Sequence, residues 1–169
     1  NDFYFANKDN KDLFLNTKNT VDGATQSASG LMLQNLYRGY CFFGKERYVK
    51  IVDDMLKNNW SGVLSAPISY VGYVHSALLK LSSYQLVIII KNDSFGKYIK
   101  KYLLKLGCFC ILNFVYDEKK ITKSSPAFGK KSIDGRTTVY VCRGFVCSAP
   151  IINVGEINKW LNKNTFIKI

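Results

Sequence analysis

The change of hydrophobic periodicity at Gln85 constrains the fold of this chain more than any other feature. Directly after it, residues 86–90 form an uninterrupted apolar run of strand length. Such a run is typical of a strand that is buried on both faces. A predicted helix at 93–106 and a second apolar strand at 108–115 follow. Strand, helix and strand at this length predict a βαβ unit with parallel strands and a right-handed crossover.

Helical spacing dominates the chain before this point. Helices are predicted over 24–43, 46–58 and 68–81, and the third carries small residues that allow close packing against a neighbour. After the βαβ unit we expect an exposed loop at 116–135, a strand at 137–141 and a short closing helix at 154–162. The small residues of the third helix are Ser69, Gly72, Ser76 and Ala77.

The expected fold class is therefore α+β, in three parts. Residues 1–23 are polar and Asn-rich and predict a loop or a short hairpin. Residues 24–82 predict α-hairpins, and residues 83–169 predict a small α/β module, built from the βαβ unit and one more strand. The turn at 91–97 holds one glycine and no phosphate-binding loop, which argues against a nucleotide site there.

The charge of the chain has two interpretations. There are 24 Lys and Arg residues against 12 Asp and Glu, a net charge of +12. A basic face could bind nucleic acid or another polyanion. However, only four cations are Arg, the residue preferred for bidentate phosphate and base recognition. We favour a solvated lysine surface, so nucleic acid is not the preferred partner.

No apolar run approaches the ~20 residues of a membrane span, and the amino end does not resemble a signal peptide. The five cysteines are not spaced as a disulfide framework. These features predict a cytoplasmic protein with no membrane partner, in a reducing compartment where most thiols stay reduced. Nothing in the sequence calls for a cofactor or a metal.

Several segments, in this order, resemble the spermatogenesis-associated, thioredoxin-domain-containing protein family. They are DGATQSAS at 22–29, GKERY at 44–48, Ala66-Pro67, and DGRTTVYVCRGFVCSAP at 134–150. Gln26, Ala28 and Ser29 stand where the family has Pro, Gly and Asn. The resemblance covers nearly the whole chain. It implies that residues 24–82 belong to an incomplete α/α-barrel related to six-hairpin glycosidases and N-acylglucosamine 2-epimerases.

Asp22, Ser27 and His75 are the binding candidates in the helical part. Asp22 and Ser27 could bind a sugar at the barrel mouth. In the interpretation that we favour, Thr25 or Ser27 caps the first helix and Asp22 stabilises its positive end. Glycoside hydrolysis needs two carboxylates about 5–10 Å apart, and no second acid can be nominated. His75, the one histidine, could act as an acid or base but is more simply a packed residue.

Cys142 and Cys147 form the thiol pair of the candidate site. They could make a reversible disulfide across a turn, join Cys108 and Cys110 in a four-thiolate site, or remain buried thiols. Their spacing differs from the Cys-x-x-Cys of thioredoxin-like redox sites. Neither a catalytic residue nor a metal ligand is assigned.

The resemblance implies the carboxy-terminal portion of a thioredoxin-domain, six-hairpin-glycosidase-like protein with carbohydrate-related activity, itself without a complete active site. The expected partner is the amino-terminal part of the parent protein, or a second copy through self-association. Two alternatives are a basic accessory module that binds nucleic acid or another polyanion, and a thiol redox partner acting through Cys142 and Cys147.

Overall fold

The computed structural model describes residues 3–4, 6–7, 9, 11–12, 14–15, 17–82, 84–103, 110–144 and 146–164. The chain divides into two units. The helical unit comprises Asn1–Tyr40 and Lys45–Ser82, and the sheet unit comprises Cys41–Gly44 and Ser83–Ile169. In the part of the chain that is described, no helix has both the length and the apolar character needed to cross a membrane.

The helices confirm the expected order and differ at their ends. Helix α1 spans Ala28–Phe43, α2 spans Glu46–Ser65, and a 3₁₀ turn at Pro67–Tyr70 leads into α3 at Val71–Ser82. In residues 1–23, the described part includes one antiparallel bridge between Tyr4 and Lys18.

The second helix is longer than the predicted 46–58. Asn59 does not end it, because its side-chain amide donates to the carbonyl oxygen of Met55 at 3.0 Å. Gly62 does not end it either: a Cβ there would lie 2.8 Å from the ring of Tyr70, so glycine lets the 3₁₀ turn pack against the helix. The helix stops before Pro67, which cannot continue a helical hydrogen-bond ladder.

Small residues bring α1 and α3 into close contact, as their sequence predicted. A Cβ on Gly30 would lie 2.9 Å from the Cα of Gly72. The hydroxyl of Ser76 donates to the carbonyl oxygen of Gly72 at 2.7 Å and lies 3.4 Å from that of Gly30. Bulkier residues at these positions would separate the helices.

The sheet unit contains a four-stranded sheet in the order β2-β1-β3-β4. Strands β1 (Tyr84–Ile89) and β2 (Cys110–Val115) are parallel, as the βαβ pattern predicted. Strand β3 (Thr138–Arg143) runs antiparallel to β1, and a two-residue strand β4 (Val146–Cys147) pairs with β3. The sequence did not predict that β3 runs antiparallel to β1, and it did not predict the strand β4. Helices α4 (Ser94–Leu103) and α5 (Val154–Asn164) complete the unit.

Both faces of the central strand β1 are covered, which explains its continuous apolar run. Leu86, Ile88 and Ile90 pack with α4 and α5, while Val87 and Ile89 face the opposite cluster. The amide of Gln85 donates to the carbonyl oxygen of Cys41 at 2.7 Å, which satisfies a buried polar group.

The segment after β2 is not wholly exposed, contrary to the prediction for 116–135. Ala127 and Ser125 are buried, and Ala127 packs against the second face of the sheet. A Lys- and Ser-rich sequence conceals this because few of its side chains, among them Ala127 and the partly buried Ile121, pack against the sheet. Two predicted boundaries lie outside the described residues, within 104–109. They are the end of the helix predicted at 93–106 and the start of the strand predicted at 108–115.

Candidate functional site

Asp22 joins two distant parts of the helical unit. One carboxylate oxygen accepts the backbone N–H of Ser27 at 2.7 Å, and the other accepts that of Gly72 at 2.7 Å. Its own N–H donates to the carbonyl oxygen of Ser69 at 2.8 Å. The carboxylate therefore fastens the entry of α1 to the start of α3, across fifty residues of sequence.

Ser27 acts as the cap of α1. Its side-chain oxygen accepts the N–H of Gly30 at 3.2 Å, so the helix begins at Ala28 rather than at Ala24. Ser27 is buried and Asp22 is half-buried. The Ser27 contact is that of a helix cap, whereas the bond that Asp22 accepts from Gly72 lies outside the capping of α1.

Burial and hydrogen bonding act on the pKa of Asp22 in opposite directions. Partial burial acts to raise the pKa, but the backbone N–H groups of Gly72 and Ser27, with the Ser27 hydroxyl, outweigh it. The pKa is therefore held below its ordinary value of 3.8. The carboxylate stays ionised at neutral pH, which suits an anchor and does not suit a general acid.

His75 lies on α3, one helical turn after Gly72, and is half-buried. Asp22 accepts a hydrogen bond from the first turn of α3, and His75 lies on the next turn of that helix. Asp53 forms an exposed ion pair with Lys80. Its neighbour Asp54 is half-buried.

Cys142 and Cys147 form a disulfide across the β3–β4 hairpin, one of the three arrangements that the sequence left open. The two residues are directly paired in the antiparallel register, with their Cα atoms 3.9 Å apart. Cys142 is fully buried, whereas Cys147 is half-buried on the short strand β4. Cys108 lies outside the described residues. In the rest, no group of three or more His, Cys, Asp or Glu could hold a metal ion.

Asp93 is a second carboxylate anchor, one whose longer-range role the sequence did not predict. It accepts the N–H of Gly96 at 2.6 Å, which caps α4, and the N–H of Thr137 at 2.6 Å, which fixes the start of β3. Burial acts to raise the pKa of Asp93, but these two N–H groups outweigh it and lower the pKa. The carboxylate occupies the amino end of α4, so it takes the place that an anion could otherwise occupy there.

A cavity of about 440 Å³ opens in the sheet unit beside the carboxyl end of β2. Its volume lies within the range of small-molecule sites, and most of its lining residues are apolar. The polar lining residues include Asp117 and Lys120. The Lys120 Nζ lies 3.8 Å from the Asp117 Oδ2, and both side chains lie near the surface. The aromatic lining residues are Phe42, Phe43, Phe114 and Tyr116.

The positive charge is concentrated in the sheet unit. By sequence this unit holds fifteen of the 24 cationic residues and only five of the 12 anionic ones. Helices α4 and α5 contribute much of it, and they are neighbours, because the Tyr98 hydroxyl donates to Asn158 at 2.8 Å. Their exposed lysines are Lys97, Lys100, Lys101, Lys159 and Lys163.

Comparison with known proteins gives one distant relative. The chain is 21% identical over 167 residues to Uncharacterized protein B0495.5 of Caenorhabditis elegans. The match covers 96% of this chain and 23% of the relative, so the chain spans about a quarter of that protein's length. No family model matches the chain. No solved structure matches it either.

Proposed function

We propose that this chain is the carboxy-terminal portion of a thioredoxin-domain protein with a six-hairpin-glycosidase-like barrel and carbohydrate-related activity. In this proposal the chain closes the barrel and does not supply the reacting groups. The single observation that carries it is an apolar stripe on α3 that is left partly in water.

Helix α3 is apolar on two sides. One side is buried in the helical unit and includes Tyr73 and Leu79. The other side repeats at i, i+3, i+4 and i+7, and it is defined here as the outer stripe: Val71, Val74, His75 and Leu78.

The outer stripe is partly exposed to solvent. Val71 is 56% exposed and Leu78 is 44% exposed, whereas Val74 and His75 are half-buried. A helix that is apolar on more than one side normally lies inside a larger structure. Burial of apolar area gains about 25 cal/mol per Å², so covering the stripe is favourable.

The proposed occupant of the outer stripe is the set of helical hairpins that precede this chain in the parent protein. Ile68 and Leu64, just before α3, are also exposed, so the apolar surface continues along the 3₁₀ turn and the end of α2. The Caenorhabditis elegans relative extends far beyond the matched region, which leaves room for such hairpins.

The chemistry of the described residues fits an accessory role. Asp22 is used for backbone anchoring, and its two short hydrogen bonds occupy both carboxylate oxygens. Hydrolysis of a glycoside would require a second, opposed carboxylate. His75 belongs to the outer stripe, so in the complete barrel it would lie at the surface that the preceding hairpins cover.

The direct test is the transcript upstream of this sequence. We expect an open reading frame that encodes a thioredoxin-like domain and the preceding α-hairpins. A frame that encodes an unrelated fold would refute the proposal.

A second test uses the 169-residue chain and sedimentation velocity at micromolar concentration. We expect reversible self-association through the outer stripe, and Leu78→Lys should shift the chain to monomer. The control is Val146→Lys, which puts the same charge at an exposed apolar position of the sheet unit and should leave association unchanged. A folded wild-type monomer with low binding of an apolar dye would contradict the proposal.

A further inference from the structure

The β3–β4 hairpin holds two sulfur atoms in unequal surroundings. Cys142 is fully buried in the cluster formed by Val87, Ile89 and Tyr140. Cys147 only packs against the border of this cluster and is half-buried. A reagent that arrives from solvent therefore meets the sulfur of Cys147 first.

The position of β4 makes that sulfur approachable. Among the strands that the structure describes, this one is the last in the sheet order and pairs on one side. The residues before and after Cys147 are both exposed, and Val146 is 79% exposed. A small thiol can therefore reach the disulfide without opening the sheet.

The hairpin does not depend on the disulfide for its pairing. The N–H of Ser148 donates to the carbonyl oxygen of Val141 at 2.8 Å. Farther along, Val139 and Ile151 exchange two hydrogen bonds of 2.9 Å. The disulfide also joins residues only five positions apart, and such short loops restrict the unfolded chain least. Breaking the bond should therefore leave the folded structure in place.

We propose that the Cys142–Cys147 disulfide is a reversible thiol–disulfide exchange site whose co-substrate is a low-molecular-weight monothiol of the glutathione class. The proposal is independent of the barrel-closing role. It assigns an activity to two residues that the barrel proposal does not use.

The exchange proceeds in two balanced steps. A thiolate attacks the sulfur of Cys147, the protein S–S bond breaks, and Cys142 leaves as a thiolate that takes up the proton the attacking thiol gave up. The product is a mixed disulfide on Cys147. A second thiolate then attacks the sulfur of the bound small thiol and releases Cys147. Two small thiols are oxidised to one disulfide as the protein disulfide becomes two thiols, and the reverse sequence re-oxidises the protein.

The first experiment measures reduction of the native protein. The oxidised 169-residue chain is incubated with a few millimolar reduced glutathione, quenched by alkylation and weighed by intact-mass spectrometry. We expect two additional alkylated thiols, mapped to Cys142 and Cys147, with an unchanged far-UV circular dichroism spectrum. Both cysteines already alkylated before reduction, or a disulfide that resists glutathione until the protein unfolds, would overturn the proposal.

The second experiment tests which sulfur is attacked, with two matched variants. Cys142→Ser keeps the half-buried thiol of Cys147, and Cys147→Ser keeps the buried thiol of Cys142. With oxidised glutathione under native conditions, we expect a mixed disulfide on Cys147 to form at least about tenfold faster than one on Cys142. In urea, the two rates should become similar. The double variant Cys142→Ser/Cys147→Ser corrects for the other three cysteines.

Two results would refute specific parts of the proposal. Equal native rates in the two variants would refute the proposed direction of attack. Reduction of the wild type by a dithiol protein but not by glutathione would refute the proposed co-substrate. If a variant fails to fold by circular dichroism, the wild-type reduction experiment still decides the proposal, because it needs no substitution.

Discussion

Replacing Asp22 by Ala should destabilise the helical unit through the loss of an anchor, not through the loss of packing. The side chain is half-buried, and its contacts are the N–H groups of Ser27 and Gly72 and the Ser27 hydroxyl. Removing the carboxylate leaves both N–H groups without their acceptor. The entry of α1 and the start of α3 then lose the link that fixes their separation.

The expected magnitude follows from these two bonds. Hydrogen bonds to a charged group contribute about 1.5–3 kcal/mol each, and water can reach a half-buried site and replace part of that. We therefore expect Asp22→Ala to lower the free energy of unfolding by about 2–3 kcal/mol. Asp22→Asn keeps one acceptor oxygen but presents an NH₂ group to the other donor, so it should cost about 1–2 kcal/mol.

The two tryptophans allow the helical unit to be monitored separately. Trp60 lies on α2 in the helical unit, and Trp160 lies on α5 in the sheet unit. In a Trp160→Phe background, the fluorescence of Trp60 reports urea unfolding of the helical unit. The control is Asp53→Ala, which removes an exposed ion pair with Lys80 and should cost no more than about 0.5 kcal/mol.

The pH dependence gives a second signature. Because the folded-state pKa of Asp22 lies below its unfolded value near 3.8, the carboxylate stabilises the fold fully above that value. This contribution is lost as the pH falls through the folded pKa. The difference between wild type and Asp22→Ala should therefore be full at pH 7 and shrink below pH 4. A cost below about 0.5 kcal/mol, or a difference that does not change with pH, would refute the reasoning.

Two further predictions concern the sheet unit. Gly96→Ala should destabilise it by about 2 kcal/mol or more in urea unfolding followed by Trp160, because the new Cβ would lie 2.6 Å from the carbonyl oxygen of Lys91 and from the hydroxyl of Thr137. Gly155→Ala is the control, since its Cβ would meet only ordinary contact at 3.5 Å; equal effects would contradict the steric argument. Binding to random duplex DNA, measured by fluorescence anisotropy, should be weak and should fall by about 10²–10³ between about 50 and 200 mM salt if all five exposed lysines of α4 and α5 contact phosphates. Tight, sequence-selective binding that survives 200 mM salt would show that the lysine surface is a specific interface.

Local sequence patterns were sufficient where a residue's neighbours along the chain decide its structure. The run at 86–90 predicted a strand covered on both faces, and β1 confirms it. The βαβ spacing predicted that β1 and β2 are parallel. Ser27 was one of the two predicted caps of the first helix, because a cap acts within three residues of its partner.

Longer-range features were decided only by the tertiary structure. The second bond of Asp22 reaches Gly72, and the second bond of Asp93 reaches Thr137. The pairing of Cys142 with Cys147 depends on the register of β3 and β4, which a one-residue slip would change. The burial of Ala127 depends on a sheet face that lies elsewhere in the chain. Periodicity describes the order of side chains along one segment, whereas these contacts depend on which segments the folded core brings together.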